Sequence, residues 1–265
     1  MTNTERISNL DYICRHLLDE HPQYRSAAVP DTLDEKQLLM RLLLNIRPPK
    51  AVSNEFLQAQ DAELLEQLEE KGIVTLPGTE LLEWQGDITR LKVDAIVNAA
   101  NAQMLGCFAP LHRCIDNAIH SAAGVQLRLA CAEMMQGGDE PTGRARITPA
   151  FNLPAKFVLH TVGPIVPTGR PLRTQEFQLA SCYRSCLNLA SEKGLESVAF
   201  CCISTGEFRF PNDQACRIAV STVRSWLAAH PESTVKTIVF NTFKDIDHEF
   251  YTNALAEGRG GDCRG

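Results

Sequence analysis

The chain of 265 residues contains no run of about 18 apolar residues, so no segment is expected to span a membrane. Its opening stretch, MTNTERISNL, has no apolar core, so no secretory signal is expected there. It also lacks an excess of positive charge. The 26 Lys and Arg stand against 32 Asp and Glu, a net charge of -6, which argues against a duplex nucleic-acid binder. A small anionic ligand stays compatible, because a local nest of backbone N–H groups is enough to hold one. No Cys-x-x-Cys pair occurs, which removes the usual signature of a structural zinc knuckle. Gly-Lys-Ser/Thr is missing too, so there is no Walker A loop. No internal repeat is found.

Cysteine is plentiful, with ten residues, and 44% of the chain is hydrophobic. The cysteine settings do not suggest disulfides. Cys201 and Cys202 lie in an apolar strand run, and Cys182 and Cys186 lie on a helical pattern. A chain of this size builds its own core without staples. The expectation is a reducing, cytoplasmic setting in which most cysteines are small buried hydrophobes.

Residues 1–72 read as a helical extension. Leu10, Ile13, Cys14, Leu17 and Leu18 fall at helical spacing. A second helix is expected over 34–45, stopped by Pro48-Pro49. Ser53 is the expected N-cap of a third, and Gly72 its C-terminal stop. Glu63, Glu66, Glu69 and Glu70 read as the solvated face of that third helix. Residues 73–257 then alternate strands (73–76, 80–84, 94–98, 156–161, 197–203, 235–241) with helices (112–122, 124–136, 174–193, 212–229, 246–257). Such alternation predicts a sheet with helices on both faces. Residues 258–265, GRGGDCRG, read as a disordered tail.

The sharpest segment is Asn98–Cys114, NAANAQMLGCFAPLHRC. It directly follows the apolar strand Ala95-Ile96-Val97, and α/β proteins bind ligands where strands end. Cys107, His112 and Cys114 offer two thiols and an imidazole. Three protein ligands leave the fourth zinc position open to water or substrate. Chance proximity, or a closed structural site completed by Cys131 or His120, is the bland alternative. Asn98 and Asn101 are either turn residues bonding nearby backbone or, for Asn101, a holder of a sugar hydroxyl. Asp87, in Gly86-Asp-Ile-Thr, is either a turn initiator or a carboxylate accepting from a ligand amino group. Ser204-Thr205-Gly206-Glu207-Phe208 runs from a strand to a helix start near Pro211 or Asn212, a place that suits phosphate binding by backbone N–H groups. Phe208 covers a ribose or packs. Phe243 stacks on a base or is a buried strand-end aromatic, the simpler reading in isolation. His160 reads as a satisfied core histidine, and Trp84 and Trp226 as packing residues.

In this order, the segments resemble the macrodomain family, which binds ADP-ribose. The match runs through Gly86-Asp-Ile-Thr, Val97-Asn-Ala-Ala-Asn101, Ala118–Gly124, His160-Thr-Val-Gly-Pro164 and Ile203-Ser-Thr-Gly206. The segment Gly106–Asp116 looks like the zinc-dependent subgroup, whose members are protein-ADP-ribosyl hydrolases. Leu42-Leu-Leu-Asn-Ile-Arg-Pro-Pro49 and Gln60-Asp61 look like that subgroup's helical extension. The resemblance implies an α/β fold, a three-layer α/β/α domain with a mixed sheet.

It further implies that Asp87 accepts from the adenine amino group, with the Ile88 N–H nearby, and that Asn241 and Phe243 line the adenosine end. Ser204, Thr205, Gly206, Glu207 and Phe208 would wrap the diphosphate, and Phe208 would flank the distal ribose. Asn101 would hold that ribose, and Cys107, His112 and Cys114 would bind Zn2+ beside the bond to be cut. The implied activity is zinc-dependent removal of ADP-ribose from modified protein side chains, with Asp and Glu esters as the best chemical guess. The alternatives are a non-catalytic ADP-ribose reader and a hydrolase of O-acetyl-ADP-ribose. The protein is expected to be a monomer whose partners are ADP-ribose and mono-ADP-ribosylated protein, with no nucleic acid and no membrane. Two departures matter. The glycine-rich loop with a catalytic Asp found in many zinc-free members is replaced by Gly106–Cys114. Glu207 puts a carboxylate in the phosphate loop, which is electrostatically odd and leaves it facing the distal ribose or the substrate protein.

Overall fold

The computed structural model describes residues 1–78 and 81–257. The tail from Gly258, expected to be disordered, lies outside the described residues, as does Glu80 at the start of one expected strand. Three helices open the chain: α1 (Asn3–Asp19), α2 (Leu33–Ile46) and α3 (Asn54–Lys71). Each starts at a hydroxyl that accepts from an orphan N–H of the first turn. Thr2 does so in a reciprocal capping box with Glu5, Thr32 takes Glu35, and Ser53 takes Phe56. Gly72 ends α3 at φ 76°, a left-handed conformation that suits glycine. The apolar faces of the three helices meet in a core of their own around Leu10, Ile13, Leu17, Met40, Leu43 and Phe56.

One reading of α3 is corrected here. Glu63 is not on a solvated face but fully buried. Its two oxygens take Arg6 Nε at 2.8 Å and Nη2 at 3.1 Å, and Gln37 and Gln67 donate to it as well. Burial of a carboxylate is tolerable because it is paired and fully hydrogen-bonded. Helical periodicity could not show this, because the partner cation lies on α1.

The sheet has six strands: β1 (Leu81–Gln85), β2 (Ala95–Ala100), β3 (Ala145–Pro149), β4 (Phe157–Val162), β5 (Ser197–Phe200) and β6 (Thr237–Thr242). Their order is β1-β6-β5-β2-β4-β3. Five are mutually parallel and β3 runs antiparallel to β4 at one edge. Ala95-Ile96-Val97, Val198-Ala199-Phe200 and Ile238-Val239-Phe240 are buried at every position. Continuous burial without alternation means that both faces of these strands are covered. The cover is α4 (Ile115–Ala123) with α5 (Val125–Met135), and α6 (Arg173–Glu192), α7 (Asn212–Ala229) and α8 (Asp245–Glu257) packed in succession. This is the expected α/β fold with a mixed sheet.

Two strands differ from expectation. The stretch 73–76 forms only a single bridge, Val74 with Leu91. Strand β3 was not anticipated, because Ala-Arg-Ile-Thr-Pro has little apolar pattern. Its place at the sheet edge explains both that weak pattern and its tolerance of Pro149.

The extension is docked on the rest of the chain. Val125 is buried in the three-helix core. Helix α5 starts after Gly124, which has no side chain to cap it. Gln60 of α3 accepts from the Val125 N–H at 2.9 Å and takes over that task, while Asp61 takes Gln126 and Asn152.

Candidate ligand and metal site

Because β1, β6, β5, β2 and β4 are parallel, their C-terminal ends share one edge of the sheet. From β2 the chain proceeds towards β4 and β3, and from β5 it proceeds the other way, to β6. The switch point therefore lies between β2 and β5, the place where open α/β sheets bind ligands. The loops that leave there are 101–114 and 201–211. Of the six non-glycine residues with positive φ among the described residues, four lie in these loops: Met104 (57°), Leu111 (55°), Ser204 (67°) and Arg209 (57°). Such backbone strain gathers at functional sites.

In the first loop, Asn101 Nδ2 donates to the Gly106 carbonyl at 3.1 Å. Its Oδ1 is buried with no partner among the described residues. Gly106, at φ 80°, lies flat on the His120 ring; a Cβ there would sit 2.8 Å from Cγ of that ring. Beyond it, Cys107 Sγ is 3.7 Å from His112 Nδ1. The ligating atoms of Cys107, His112 and Cys114 all lie within 4.8 Å of one another, and all three residues are half-buried. Cys114 also caps α4, its Sγ accepting from the Asn117 N–H at 3.4 Å. Burial pushes the Cys114 thiol up to about 12, with the neighbouring Cys107 adding to it. Such a thiol ionises at neutral pH only beside a strong positive charge, which a bound divalent cation supplies. Two sulfurs and an imidazole at these separations fit zinc. Neither Cys131 nor His120 joins this cluster.

Residues distant in sequence hold the loop. Asn45 Oδ1 of α2 accepts from the Leu111 N–H at 2.9 Å. Arg41 Nη2 lies 3.5 Å from the His112 carbonyl and 3.1 Å from Asn117 Oδ1. Arg128 of α5 donates to the Leu105 carbonyl at 2.6 Å and to the Leu44, Asn45 and Arg47 carbonyls at the end of α2. Its guanidinium also stacks over Phe108, 4.3 Å from the ring centroid. No motif pointed to Arg41 or Arg128, whose partners lie up to 84 residues away; Asn45 falls within the Leu42–Pro49 stretch, which gave it no role at this loop.

The second loop carries Ser204, whose Oγ is also buried without a partner among the described residues. Gly163, at the end of β4, makes room for it: a Cβ there would fall 2.1 Å from that Oγ. Phe210 N–H bonds back to Ser204 O, and Arg209 N–H to Gly206 O, which curls the loop into the start of α7. Phe208 is half-buried, and Gly206 and Glu207 are exposed. Glu207 Oε1 reaches across to His112 Nε2 at 3.5 Å, so the two loops meet.

At the far side of the switch point, Asp87 Oδ1 accepts from the Thr89 N–H at 3.0 Å and its hydroxyl at 2.6 Å. Oδ2 faces Lys71 Nζ at 3.8 Å. Asp87 therefore initiates a turn and still presents one oxygen. Asn241 is buried and donates to the Trp84 and Gly86 carbonyls, so it braces the Asp87 turn. Phe243 is not a buried strand-end aromatic: it is 77% exposed, because β6 ends at Thr242 and leaves it outside the core. Asp87 also lines a cavity of about 130 Å³ whose other wall is Gln37, Arg41, Gln67 and Lys71 of the extension.

Beneath the first loop lies a buried polar group. His160 meets Asn98 Nδ2 at Nδ1 (3.2 Å) and Thr148 Oγ1 at Nε2 (2.9 Å), the satisfied core histidine expected. Burial lowers it to about 3. His120 is held well below its usual value, first by burial and then by His160 and Arg128. Burial raises Asp116 to about 6. His120, Cys131 and His160 also lie within 4.8 Å of one another. Thr148 already engages Nε2 of His160, so we read this cluster as core.

A family model described as Macro domain matches residues 97–219. A protein-ADP-ribose hydrolase of Treponema medium is 50% identical over 256 residues, covering 92% of this chain and 97% of that one. A protein of the same description from Staphylococcus aureus (strain MRSA252) is 44% identical over 255 residues, covering 94% and 95%. Among solved structures, the Oceanobacillus iheyensis macrodomain with ADP is similar at a TM-score of 0.61 and 37% identity, over 69% of this chain and 95% of that one. The Trypanosoma brucei macrodomain in complex with ADP-ribose is similar at a TM-score of 0.60 and 30% identity, over 78% and 92%.

Proposed function

The chain belongs to the macro domain family, and on that premise we propose that it is a hydrolase that removes ADP-ribose from modified protein side chains, Asp and Glu esters first among them, with Zn2+ held by Cys107, His112 and Cys114. Relatives that match nearly the whole chain are named for protein-ADP-ribose hydrolysis, and similar structures hold ADP-ribose or ADP. The observation that carries the reading is local. At the switch point two buried acceptors, Asn101 Oδ1 and Ser204 Oγ, have no partner among the described residues, and they lie in the loops that bring His112 and Glu207 together. Buried polar atoms are normally satisfied, and a polar ligand held at this edge would give both atoms a partner.

In this reading Asp87 Oδ2 accepts from the adenine amino group, the Ile88 N–H donates beside it, and exposed Phe243 covers the base. Asn241 acts through the turn it braces. The N–H groups of Ser204–Phe208, with the start of α7 behind them, take the diphosphate. Asn101 Oδ1 accepts from a hydroxyl of the distal ribose and fixes the sugar beside the cluster, while Phe208 flanks it. Zinc, when bound, supplies Lewis acidity and the means to activate a water at neutral pH. An ester suits this machinery, because its carboxylate departs with less assistance than an ether or N-glycoside requires.

The test is release of ADP-ribose from Asp/Glu-modified protein, before and after chelation of zinc, together with Cys107→Ala. Release that is lost on chelation, restored by zinc and absent in Cys107→Ala, with ADP-ribose still bound by calorimetry, is the expected result. Full release by protein shown to be zinc-free would sink the metal assignment. Binding without release by the zinc-loaded protein would make the chain a reader.

A further inference from the structure

His112 is contacted on both ring nitrogens. Cys107 Sγ faces Nδ1 at 3.7 Å, and Glu207 Oε1 faces Nε2 at 3.5 Å. Resting on the zinc reading above, we propose that Glu207 is a positioning residue for the metal. It accepts a hydrogen bond from the Nε2–H of His112, which fixes the tautomer whose Nδ1 lone pair faces the Cys107 thiol, and it thereby ties the diphosphate loop to the metal loop.

The two nitrogens of an imidazole are distinct, and the bond made by one decides what the other can do. A neutral imidazole that ligates through Nδ1 must carry its proton on Nε2. A carboxylate at that proton fixes the orientation of the ring and would raise its basicity as a ligand. Glu207 meets this requirement at the ring nitrogen opposite the one that faces Cys107, so it is placed to orient the ligand and not to be one. The separation of 3.5 Å is longer than an ideal N–H···O contact. Glu207 is 73% exposed in its side chain, which leaves it the rotamer freedom to approach more closely. Its position also accounts for an acidic residue in a loop built to receive phosphate: the charge is directed at His112.

A coupling follows. Ordering of the 204–208 loop by a diphosphate and ordering of His112 by the metal share one contact, so each favours the other, and by linkage the effect is reciprocal.

Zinc affinity of the full chain would be measured by competition with a chromophoric chelator, for wild type, Glu207→Ala and Glu207→Gln, with and without ADP-ribose. Visible spectra of the cobalt-substituted proteins would report ligand geometry. Loss of such an orienting partner typically weakens metal binding about 10- to 100-fold, so Glu207→Ala is expected to fall in that range with a shifted cobalt spectrum. Glu207→Gln keeps a carbonyl acceptor and is expected to lie between it and wild type. ADP-ribose is expected to tighten zinc binding in wild type but not in Glu207→Ala. Wild-type zinc affinity and an unchanged cobalt spectrum in Glu207→Ala would overturn the role of Glu207 and leave the zinc reading intact. A wild-type protein that binds no zinc would overturn both. Because Glu207 lies exposed on a loop, its replacement leaves the core untouched.

Discussion

Arg128 joins three parts of the molecule, and its replacement by methionine tests whether the extension supports the metal loop. Helix α2 ends at Ile46, so its last carbonyls have no partner within the helix. Arg128 donates to the Leu44, Asn45 and Arg47 carbonyls and to that of Leu105. The cation sits at the negative end of the α2 dipole. Each buried acceptor left unsatisfied costs about 1–3 kcal/mol. Four acceptors at the low end of that range come to about 4 kcal/mol. Relief of a desolvated charge works in the opposite direction, since burial lowers the pKa of Arg128. A net loss of about 3 kcal/mol remains, close to the cost of breaking a buried ion pair. At about 2–4 °C per kcal/mol for a chain of this order of size, Arg128→Met is expected to melt at least about 6 °C below wild type. The assay is thermal unfolding by circular dichroism, with zinc affinity measured beside it. Arg128→Lys keeps the charge but not the fork, and is expected to recover only part of the loss. A Tm within about 2 °C of wild type for Arg128→Met would refute the reasoning, because bulk solvent would then already satisfy those carbonyls.

Two further outcomes follow from the same geometry. Asp87→Ala removes a charge-assisted acceptor worth about 1.5–3 kcal/mol, so ADP-ribose affinity by calorimetry is expected to fall roughly 10- to 150-fold; unchanged affinity would sink the adenine assignment. The buried histidines set a pH dependence. His160, held at about 3, and His120, held well below its usual value, stay neutral while the unfolded chain protonates. The unfolded state therefore binds more protons below pH 6.5, and stability falls as pH falls, by about 1.4 kcal/mol per unit for each histidine. Asp116, raised to about 6 by burial, gains a proton in the folded state between about pH 6 and 4 and offsets one of the two. A urea midpoint at pH 5 equal to or above that at pH 7.5 would contradict this balance.

The legible part of this chain is the part written in short stretches. Strands β2, β5 and β6 announce themselves as apolar runs, because a parallel strand covered on both faces has no polar side to show. The caps Ser53 and Gly72 are readable because a helix end is satisfied within a few residues. The Cys107, His112 and Cys114 donors gather within 4.8 Å because they sit on one tight loop, where sequence spacing limits distance in space. The resemblance to macrodomains was legible for the same reason, through short motifs at strand ends. Strand β3 was not, since an edge strand needs no apolar pattern. The 77% exposure of Phe243 depends on where β6 stops.

What the amino-acid order determined unaided is therefore local: which segments become helices or strands, where they begin, and which chemical groups each loop presents. Tertiary structure decided the rest. It turned Glu63 from a surface charge into the buried partner of Arg6, 57 residues away. It brought Asn45, Arg41 and Arg128 onto the metal loop and set Glu207 against His112. Those pairings depend on strand order and helix docking. Periodicity in the sequence repeats over a few residues, whereas the electrostatic and packing energies that choose such partners act across space and leave no mark at any fixed spacing along the chain.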